Sequence, residues 1–343
     1  MATIKDVARL AGVGVGTASR ALSGKGPVSR EAVARVNAAI VELDFRPSHI
    51  ARALSANSLG MIGIFVPFFR SKYYCPVLQT FDNELRAVDR HMLVVSGCGK
   101  GDLRSQALEG LNFLIQRDCD GIIVVSQDIS DDDIIQLHRK QPRLVLMNRV
   151  VPALLQNSFC CDHRHGGVLA AQTLLTQGHR KFAVISGPIT SPDNAKRIEG
   201  FFGELALHGI ERRQVPTIES DFTTQGGWFA ARALLDSGLR FTGLFCANDE
   251  LGMGALSYFH QAGIHVPKDV SVVGYDDIST SAFTAPQMTS IHIPVEDIAS
   301  NCLRLLLNQC YGSSHPICRD FPISVTMRDS VGPAKTGQYT IEH

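Results

Sequence analysis

Thr3-Ile4-Lys5-Asp6-Val7-Ala8-Arg9-Leu10-Ala11-Gly12-Val13-Gly14-Val15-Gly16-Thr17-Ala18-Ser19-Arg20-Ala21-Leu22 reads as a helix, a tight corner and a second helix. Thr3 can cap the first helix, and Ile4, Val7, Ala8 and Ala11 recur on one face at helical spacing. Gly12 supplies the backbone freedom that a sharp helix-to-helix corner requires. The second helix then presents Thr17, Ser19 and Arg20, a polar face suited to phosphates and base edges of a DNA major groove. A third helix is expected from Ser29, its cap, to about Leu43, with Pro27 just ahead of it.

Arg46-Pro47 interrupts the helical pattern. Residues 48–54 then read as one short helix, too short to be stable alone in water, and Ser55-Ala56-Asn57-Ser58 follows as a polar linker. The charge is distributed unevenly along the chain. Overall, 33 basic residues balance 33 acidic ones, but residues 1–58 hold eight Lys/Arg against four Asp/Glu, leaving 25 against 29 beyond. A basic head on an acidic body suits a local electrostatic footprint on nucleic acid. A mildly basic, solvated helical domain is the plain alternative.

A chain of 343 residues calls for two or three compact units. With 45% apolar and 19% charged residues it has ample core material and no sign of disorder. Nine cysteines without a CxxC pair suggest reduced, largely buried thiols and a cytosolic setting. No apolar leader opens the sequence, and no run approaches the roughly 20 apolar residues of a membrane span. The expectation is a cytoplasmic protein.

From Met61 onward the pattern changes. Apolar runs at Met61–Val66, Met92–Ser96, Gly121–Val125, Leu144–Met147, Phe182–Ser186, Thr242–Cys246 and Val270–Tyr275 predict strands. Amphipathic stretches 104–117, 166–177, 194–208, 226–238 and 249–262 predict helices between them. This alternation argues for two parallel sheets covered on both faces, with a crossing near Cys160–Asp162. Ligands in such sheets bind at the carboxyl ends of strands. That singles out Pro67-Phe68-Phe69, Ser126, Asn148-Arg149, Gly187, Asn248-Asp249 and Asp276-Asp277.

The N-terminal pattern, together with Arg46-Pro47, Cys246-Ala247-Asn248-Asp249-Glu250-Leu251-Gly252-Met253-Gly254-Ala255 and Val272-Val273-Gly274-Tyr275-Asp276-Asp277-Ile278, resembles the lactose-repressor family of bacterial transcription regulators. The likeness covers residues 2–330. Asn148-Arg149-Val150-Val151-Pro152 and Asp162-His163 look most like its galactose and aryl-glucoside repressors. The resemblance implies an α/β protein: an all-helical helix-turn-helix head on a periplasmic-binding-protein-like core of two doubly wound parallel-sheet subdomains. It implies a DNA-binding head at 1–45, a hinge helix and linker at 46–58, a core at 59–330 and a tail at 331–343. Subdomain one would hold about 59–161 and 294–322, and subdomain two about 162–293 and 323–330, with three crossovers near 162, 293 and 323.

As partners the resemblance implies double-stranded operator DNA, a small sugar effector and a second copy of the chain. Val15 and Gly16 would face bases, with Arg20 as a further base contact, and Thr17, Ser19 and Ser23 would hold phosphates. Hinge helices would meet in the minor groove, where Leu54, beside Ala51, would wedge between base steps; an apolar linker contact is the alternative. Gly14 departs from the family's Ser or Thr cap. Two glycines in a recognition helix cost about 1 kcal/mol each against Ala. In the core, Arg197, Phe222, Asn248 and Asp276 match positions that contact the effector, with Phe69, Tyr73, Asn148 and Arg149 from subdomain one. A carboxylate such as Asp276 accepts from vicinal hydroxyls, Arg197 and Asn248 donate, and Phe222 covers a pyranose face. A structural ion pair for Arg197 and Asp276, and ordinary packing for Phe222 and Tyr73, are the alternatives.

Other motifs are weak. Gly97-Cys98-Gly99-Lys100-Gly101 lacks P-loop spacing, and Gly12-Val13-Gly14-Val15-Gly16 follows a helix rather than a strand, which argues against a dinucleotide site. Asp162-His163-Arg164-His165 has no remote partner cluster evident, so no metal and no cofactor are expected. Asp131-Asp132-Asp133 reads as a helix N-terminus. No nucleophile constellation or carboxylate pair marks an enzyme or glycosidase. The tail lacks leucine heptads, so a homodimer rather than a tetramer is expected. A transport solute-binding protein shares the core architecture but not a head such as residues 1–58. The expected function is a sugar-released transcriptional repressor; the alternative is a corepressed regulator answering a purine or other metabolite.

Overall fold

The computed structural model describes residues 2–23, 26–45, 58–97 and 101–335. The short helix expected at 48–54, with Ala51 and Leu54, lies outside them, as do Cys98–Lys100 of the glycine run and the tail beyond 335. The chain divides into two compact units, one comprising residues up to Met61 with Asp118–Asp120, the other Ile62–Arg117 and the chain from Gly121.

In the first unit, α1 (Ile4–Leu10), α2 (Val15–Ser23) and α3 (Arg30–Glu42) form the head. The Asp6 carboxylate turns back to accept from the Thr3 backbone N–H at 3.0 Å and from the Thr3 hydroxyl at 2.7 Å, locking the first turn of α1. Gly12 makes the corner at φ +63°, the left-handed region where a side chain is costly. Ser29 caps α3 by accepting from Ala32 N at 3.2 Å. The core is small and built of short side chains: Val7, Ala8, Ala11, Ala18, Val36 and Ala39 are buried, with Ile4, Ile40, Leu43 and Phe45 against them. One expectation changes. Helix α2 starts at Val15, and the Gly14 carbonyl accepts from Thr17 N and Ala18 N. Gly14 therefore occupies the capping position, where glycine costs only a few tenths of a kcal/mol, and Gly16 alone bears a helix-interior cost.

Asp120 gathers the segment that leads into β1. Its carboxylate accepts from Ser58 Oγ (2.7 Å) and from the backbone N–H groups of Leu59 (2.9 Å), Gly60 (2.7 Å) and Met61 (3.2 Å).

The second unit carries two sheets. The first runs β2-β1-β3-β4-β5, from β1 (Met61–Val66), β2 (His91–Ser96), β3 (Gly121–Val124), β4 (Leu144–Met147) and β5 (Ser158–Phe159). The second runs β11-β10-β9-β8-β6-β7, from β6 (Phe182–Ser186), β7 (Thr217–Glu219), β8 (Gly243–Cys246), β9 (Ser271–Asp276), β10 (Thr289–His292) and β11 (Ser324–Thr326). Each described pairing is parallel except that of β11, which adds antiparallel to the edge at β10. Strands β1, β3, β4, β6, β8 and β9 are nearly continuously buried, as strands covered on both faces must be. The covering helices are α4 (Tyr74–Ala87), α5 (Leu103–Gln116), α6 (Asp131–Lys140), α7 (His163–Thr176), α8 (Pro192–Leu207), α9 (Thr224–Asp236), α10 (Asp249–Gln261) and α11 (Val295–Tyr311).

The chain passes between sheets three times. It leaves the first after β5, and it returns after β10 through α11, which packs on α4, β3, β4 and β5. It then comes back to the second sheet as β11. Leu306 and Cys310 of α11 press so closely on Gly121 that a Cβ there would lie 2.7 and 2.8 Å from them. Helices α7 and α8 touch through glycines: a Cβ on Gly167 would sit 2.0 Å from the Arg197 carbonyl oxygen, and one on Gly200 1.9 Å from that of Arg164. This contact fixes the height of Arg197 beside the sheet. Of the described cysteines, Cys119, Cys161, Cys246 and Cys302 are buried, whereas Cys75 and Cys318 are exposed, so burial of the thiols is less general than their apolar surroundings suggested.

Candidate functional site

Two groups of residues stand out. In the head, α2 buries Ala18 inward and turns Val15, Gly16, Ser19 and Arg20 to solvent, with Thr17 half-buried between. Val15 is 45% exposed, an apolar tip outside the head's buried cluster among the described residues. Arg20 Nη2 donates to Thr17 Oγ1 at 3.4 Å, and its guanidinium lies over Gly16, whose Cβ would be 3.7 Å from Arg20 Nη1. The face is polar, cationic and free of large side chains at its N-terminal end. Ser23 ends α2, and its side chain lies outside the description.

The second group forms at the carboxyl ends of strands in the second unit. Arg197 sits one turn after Asp193 on α8, so both point to the same side. Arg197 is 6% exposed; Nη1 donates to the Ala247 carbonyl at 2.6 Å, Nη2 lies 3.4 Å from Asp276 Oδ1, and the guanidinium stacks 4.0 Å from the Tyr275 ring centroid. The ion-pair alternative for Arg197 and Asp276 is therefore what the geometry displays. Burial pushes the Asp276 carboxyl up to about 8, even with Arg197 beside it. Burial also works against the charge of Arg197, but Asp276 and Tyr275 more than offset this and hold its pKa above the usual value.

From the first sheet, Asn148 follows β4 and Gln127 follows β3. The Asn148 amide donates to Tyr73 Oη, and the Gln127 amide donates to the Asn148 carbonyl and, at 3.0 Å, to Asp193 Oδ2. Burial, followed by the nearby Asp276, pushes the Tyr73 phenol far up, which keeps it a neutral hydrogen-bonding group. Asn148, Phe222 and Asp276 hold left-handed backbone at φ +57°, +64° and +99°. Such conformations cost about 1–3 kcal/mol each and concentrate at functional sites.

Four buried side-chain atoms of this centre make no hydrogen bond among the described residues: Gln127 Oε1, Asn148 Oδ1, Arg197 Nε and Asp276 Oδ1, the last held only by its 3.4 Å ion pair with Arg197. Three are acceptors and one is a donor. Leaving such groups unpaired costs roughly 1–3 kcal/mol each, which a polar ligand or water reaching them would recover.

The remaining expected residues divide. Phe222 is half-buried and lies against Gly187, where a Cβ would meet its ring at 2.0 Å. Asn248 is engaged in architecture: Oδ1 caps α10 from Leu251 N at 2.9 Å and Nδ2 donates to the Phe222 carbonyl at 3.1 Å. Phe69 is 56% exposed. Arg149 is turned away, its guanidinium bonded to the Ile129 carbonyl and paired with Asp131 at 2.6 Å.

Sequence reasoning missed Gln127, Asp193 and Glu250, and singled out Asp249 only by its place after a strand. Glu250 clasps the opposite sheet's β1–α4 loop, accepting from Ser71 Oγ at 2.7 Å and Lys72 N at 3.0 Å. Asp249, buried and pushed up to about 7 by burial, accepts from Ser281 Oγ, Ser290 Oγ and Ile278 N, and so fixes the loop after Asp276. Only the position of each after a strand could have drawn attention to them.

His163 has a remote partner after all. Its Nε2 lies 3.5 Å from Asp193 Oδ2, its Nδ1 2.9 Å from Tyr275 Oη, and its pKa is lowered by burial. Cys160, His163 and Asp193 place ligand-type atoms within 4.8 Å of one another, the donor set among the described residues that could hold a metal. Two open hollows lie along α9, each lined in part by Gln225 and Phe229. Among the described residues, no helix is long and apolar enough to cross a membrane.

Residues 3–48 match the family model described as bacterial regulatory proteins, lacI family, and residues 171–331 that of a periplasmic binding protein-like domain. The transcriptional regulator AscG of Escherichia coli is 32% identical, over 96% of this chain and 98% of its own. The repressor PurR of Vibrio atlanticus is 28% identical, over 92% and 94%. Among solved structures, a LacI-family regulator from Burkholderia phymatum is 55% identical with a TM-score of 0.78, covering 80% of this chain and 99% of that one. A LacI-family regulator from Enterococcus faecium with bound ribose is 27% identical with a TM-score of 0.71, covering 80% and 100%.

Proposed function

The chain belongs to the lacI family of DNA-binding bacterial transcription regulators, and we propose that it is the repressor of a sugar-utilisation operon, released from its operator by a small sugar. The observation that carries this reading is the set of unpaired atoms at Gln127, Asn148, Arg197 and Asp276, beside the half-buried ring of Phe222. Three acceptors and one donor suit vicinal hydroxyls, which both give and take hydrogen bonds, and an aromatic ring suits the C–H face of a pyranose. The ribose held by the Enterococcus faecium relative supports the same ligand class.

On this reading the protein acts in the cytoplasm as a homodimer on a near-palindromic operator. Val15 and Arg20 of each head read bases, Gly16 leaves the backbone close to the groove, and Thr17, Ser19 and Ser23 hold phosphates. Ala51 and Leu54 serve the hinge at the operator centre. Inside each core, the sugar bridges Asn148 and Gln127 of one sheet to Asp276 and Arg197 of the other, with Tyr73 and Asn248 orienting their neighbours. The Glu250 clasp favours the same closed arrangement. The sugar must bind the operator-weak state more tightly than the operator-bound one, because equal affinity would shift nothing.

Fluorescence anisotropy of the full-length protein on its own promoter DNA, with a panel of free sugars and with hypoxanthine, tests the proposal. Release by one sugar is the expected result. Tightening by hypoxanthine would instead favour the corepressed reading that the PurR relative supports.

A further inference from the structure

We infer that the effector is an uncharged polyol and that a phosphorylated sugar is rejected; this rests on the effector-centre reading above. Phosphate recognition calls for a forked, bidentate guanidinium or a helix N-terminus held open to the anion. Neither buried arginine offers a fork. Arg149 is committed to the Ile129 carbonyl and to Asp131. Arg197 donates from Nη1 to the Ala247 carbonyl and holds Nη2 against Asp276, so its two terminal nitrogens are not both open to an anion, and its buried Nε makes no hydrogen bond among the described residues.

The surroundings are acidic. Asp193 at the foot of Arg197, Asp276 across from it and Glu250 on the clasp are each buried. The fields of Asp128, Asp193 and Asp276 all reach Tyr74, and those of Asp193, Asp249 and Glu250 reach Asp276, where Arg197 is the opposing cation. A phosphate monoester brings nearly two negative charges at neutral pH and only acceptor oxygens. Placed here it would lie against the buried Asp193 and Glu250 carboxyl groups in a low-dielectric setting and leave Gln127 Oε1 and Asn148 Oδ1 without donors. A neutral sugar hydroxyl donates to each of them and accepts from Arg197 Nε. The unpaired atoms and the charge balance thus select the same ligand class independently.

Titration calorimetry on the full-length protein with matched pairs tests this: glucose and glucose 6-phosphate, ribose and ribose 5-phosphate, cellobiose and its 6′-phosphate, with hypoxanthine alongside. The expected result is that at least one neutral sugar binds and that its phosphate ester binds at least about a hundredfold more weakly, about 2.7 kcal/mol. Asp276→Asn is expected to weaken the sugar at least about tenfold and to narrow that discrimination. A phosphate ester that binds as tightly as its parent sugar overturns the inference while leaving the effector centre in place. If Lys72→Ala, at the exposed end of the clasp, then abolishes ester binding, the anion has an anchor outside the buried set. Binding of hypoxanthine with no sugar binding, or binding of nothing in the panel, overturns the effector-sugar reading itself and the inference with it.

Discussion

The head and the sheet-bearing core each turn on one arginine, and the two are held in opposite ways. Arg20 lies exposed on α2, in 3.4 Å contact with Thr17 and draped over Gly16. Arg197 is sealed against Ala247, Asp276 and Tyr275. An exposed guanidinium keeps its hydration until DNA replaces it, so its energy is available to recognition. A buried one has already spent much of its interaction on the fold and offers a ligand only directed N–H groups. Exposure suits the reading of many phosphates and a few base edges; burial suits a sensor that answers one shape.

Substitution at the two arginines should separate these uses most sharply. Arg197→Ala removes the buried guanidinium that bonds the Ala247 carbonyl and stacks on Tyr275, and should cost about 3 kcal/mol of core stability, read from the urea midpoint. Arg20→Ala should leave that midpoint within about 0.5 kcal/mol. If the two variants unfold alike, the contrast in how the arginines are held is wrong. Next in size is Gly200→Ala, whose Cβ would be forced to within 1.9 Å of the Arg164 carbonyl. It should destabilise the core by about 3 kcal/mol and weaken sugar binding by displacing Arg197.

On DNA the ranking reverses. Arg20→Ala should cost about 1–3 kcal/mol of discrimination between operator and scrambled sequence, with sugar affinity unchanged in calorimetry. Equal loss on both DNAs would make Arg20 a phosphate contact rather than a reader.

The two regions should also answer pH with opposite signs. In the core, Asp249 and Asp276 titrate near 7 and 8 because burial disfavours their charge, against about 3.9 when unfolded. Between about pH 4 and 8 the folded core holds protons that the unfolded chain has released. Core stability should therefore fall as pH rises through that window, and Asp249→Asn should flatten the fall in urea midpoints measured at pH 5.5 and 8. In the head, hydrogen bonds from Thr3 hold Asp6 below the usual carboxylate range. Its contribution should be present above about pH 4 and fade below it, read by hydrogen exchange across α1. The smallest effect belongs to Gly16→Ala, which should stabilise the head by about 0.5–1 kcal/mol.

What was legible in the sequence follows from how local each signal is. The apolar runs that became β1, β3, β4, β6, β8 and β9 are continuous and carry their own pattern, as does the amphipathic period of α7 to α10. Strand β5 has two residues and β7 and β11 three each, too short for any period to register, and their pairing is set by the neighbours they meet. Arg197 was legible as a candidate through the family resemblance alone, and Asp276 through that and its place after a strand. Gln127 with Asp193, and Ser71 with Glu250, were not. Their partners lie 66 and 179 residues apart and meet only once both sheets are folded. For the same reason Asn248 read as a ligand contact, whereas its cap on Leu251 and its hold on Phe222 are visible only in the folded loop.

The central claim is that the buried Asp276–Arg197 centre, and not the head, senses the effector. Its most direct test is a sugar titration of the preformed operator complex by fluorescence anisotropy, wild type beside Asp276→Asn. The account predicts that the releasing sugar frees wild-type protein while the variant binds operator equally well and stays bound. Release of the variant at the same sugar concentration would contradict it.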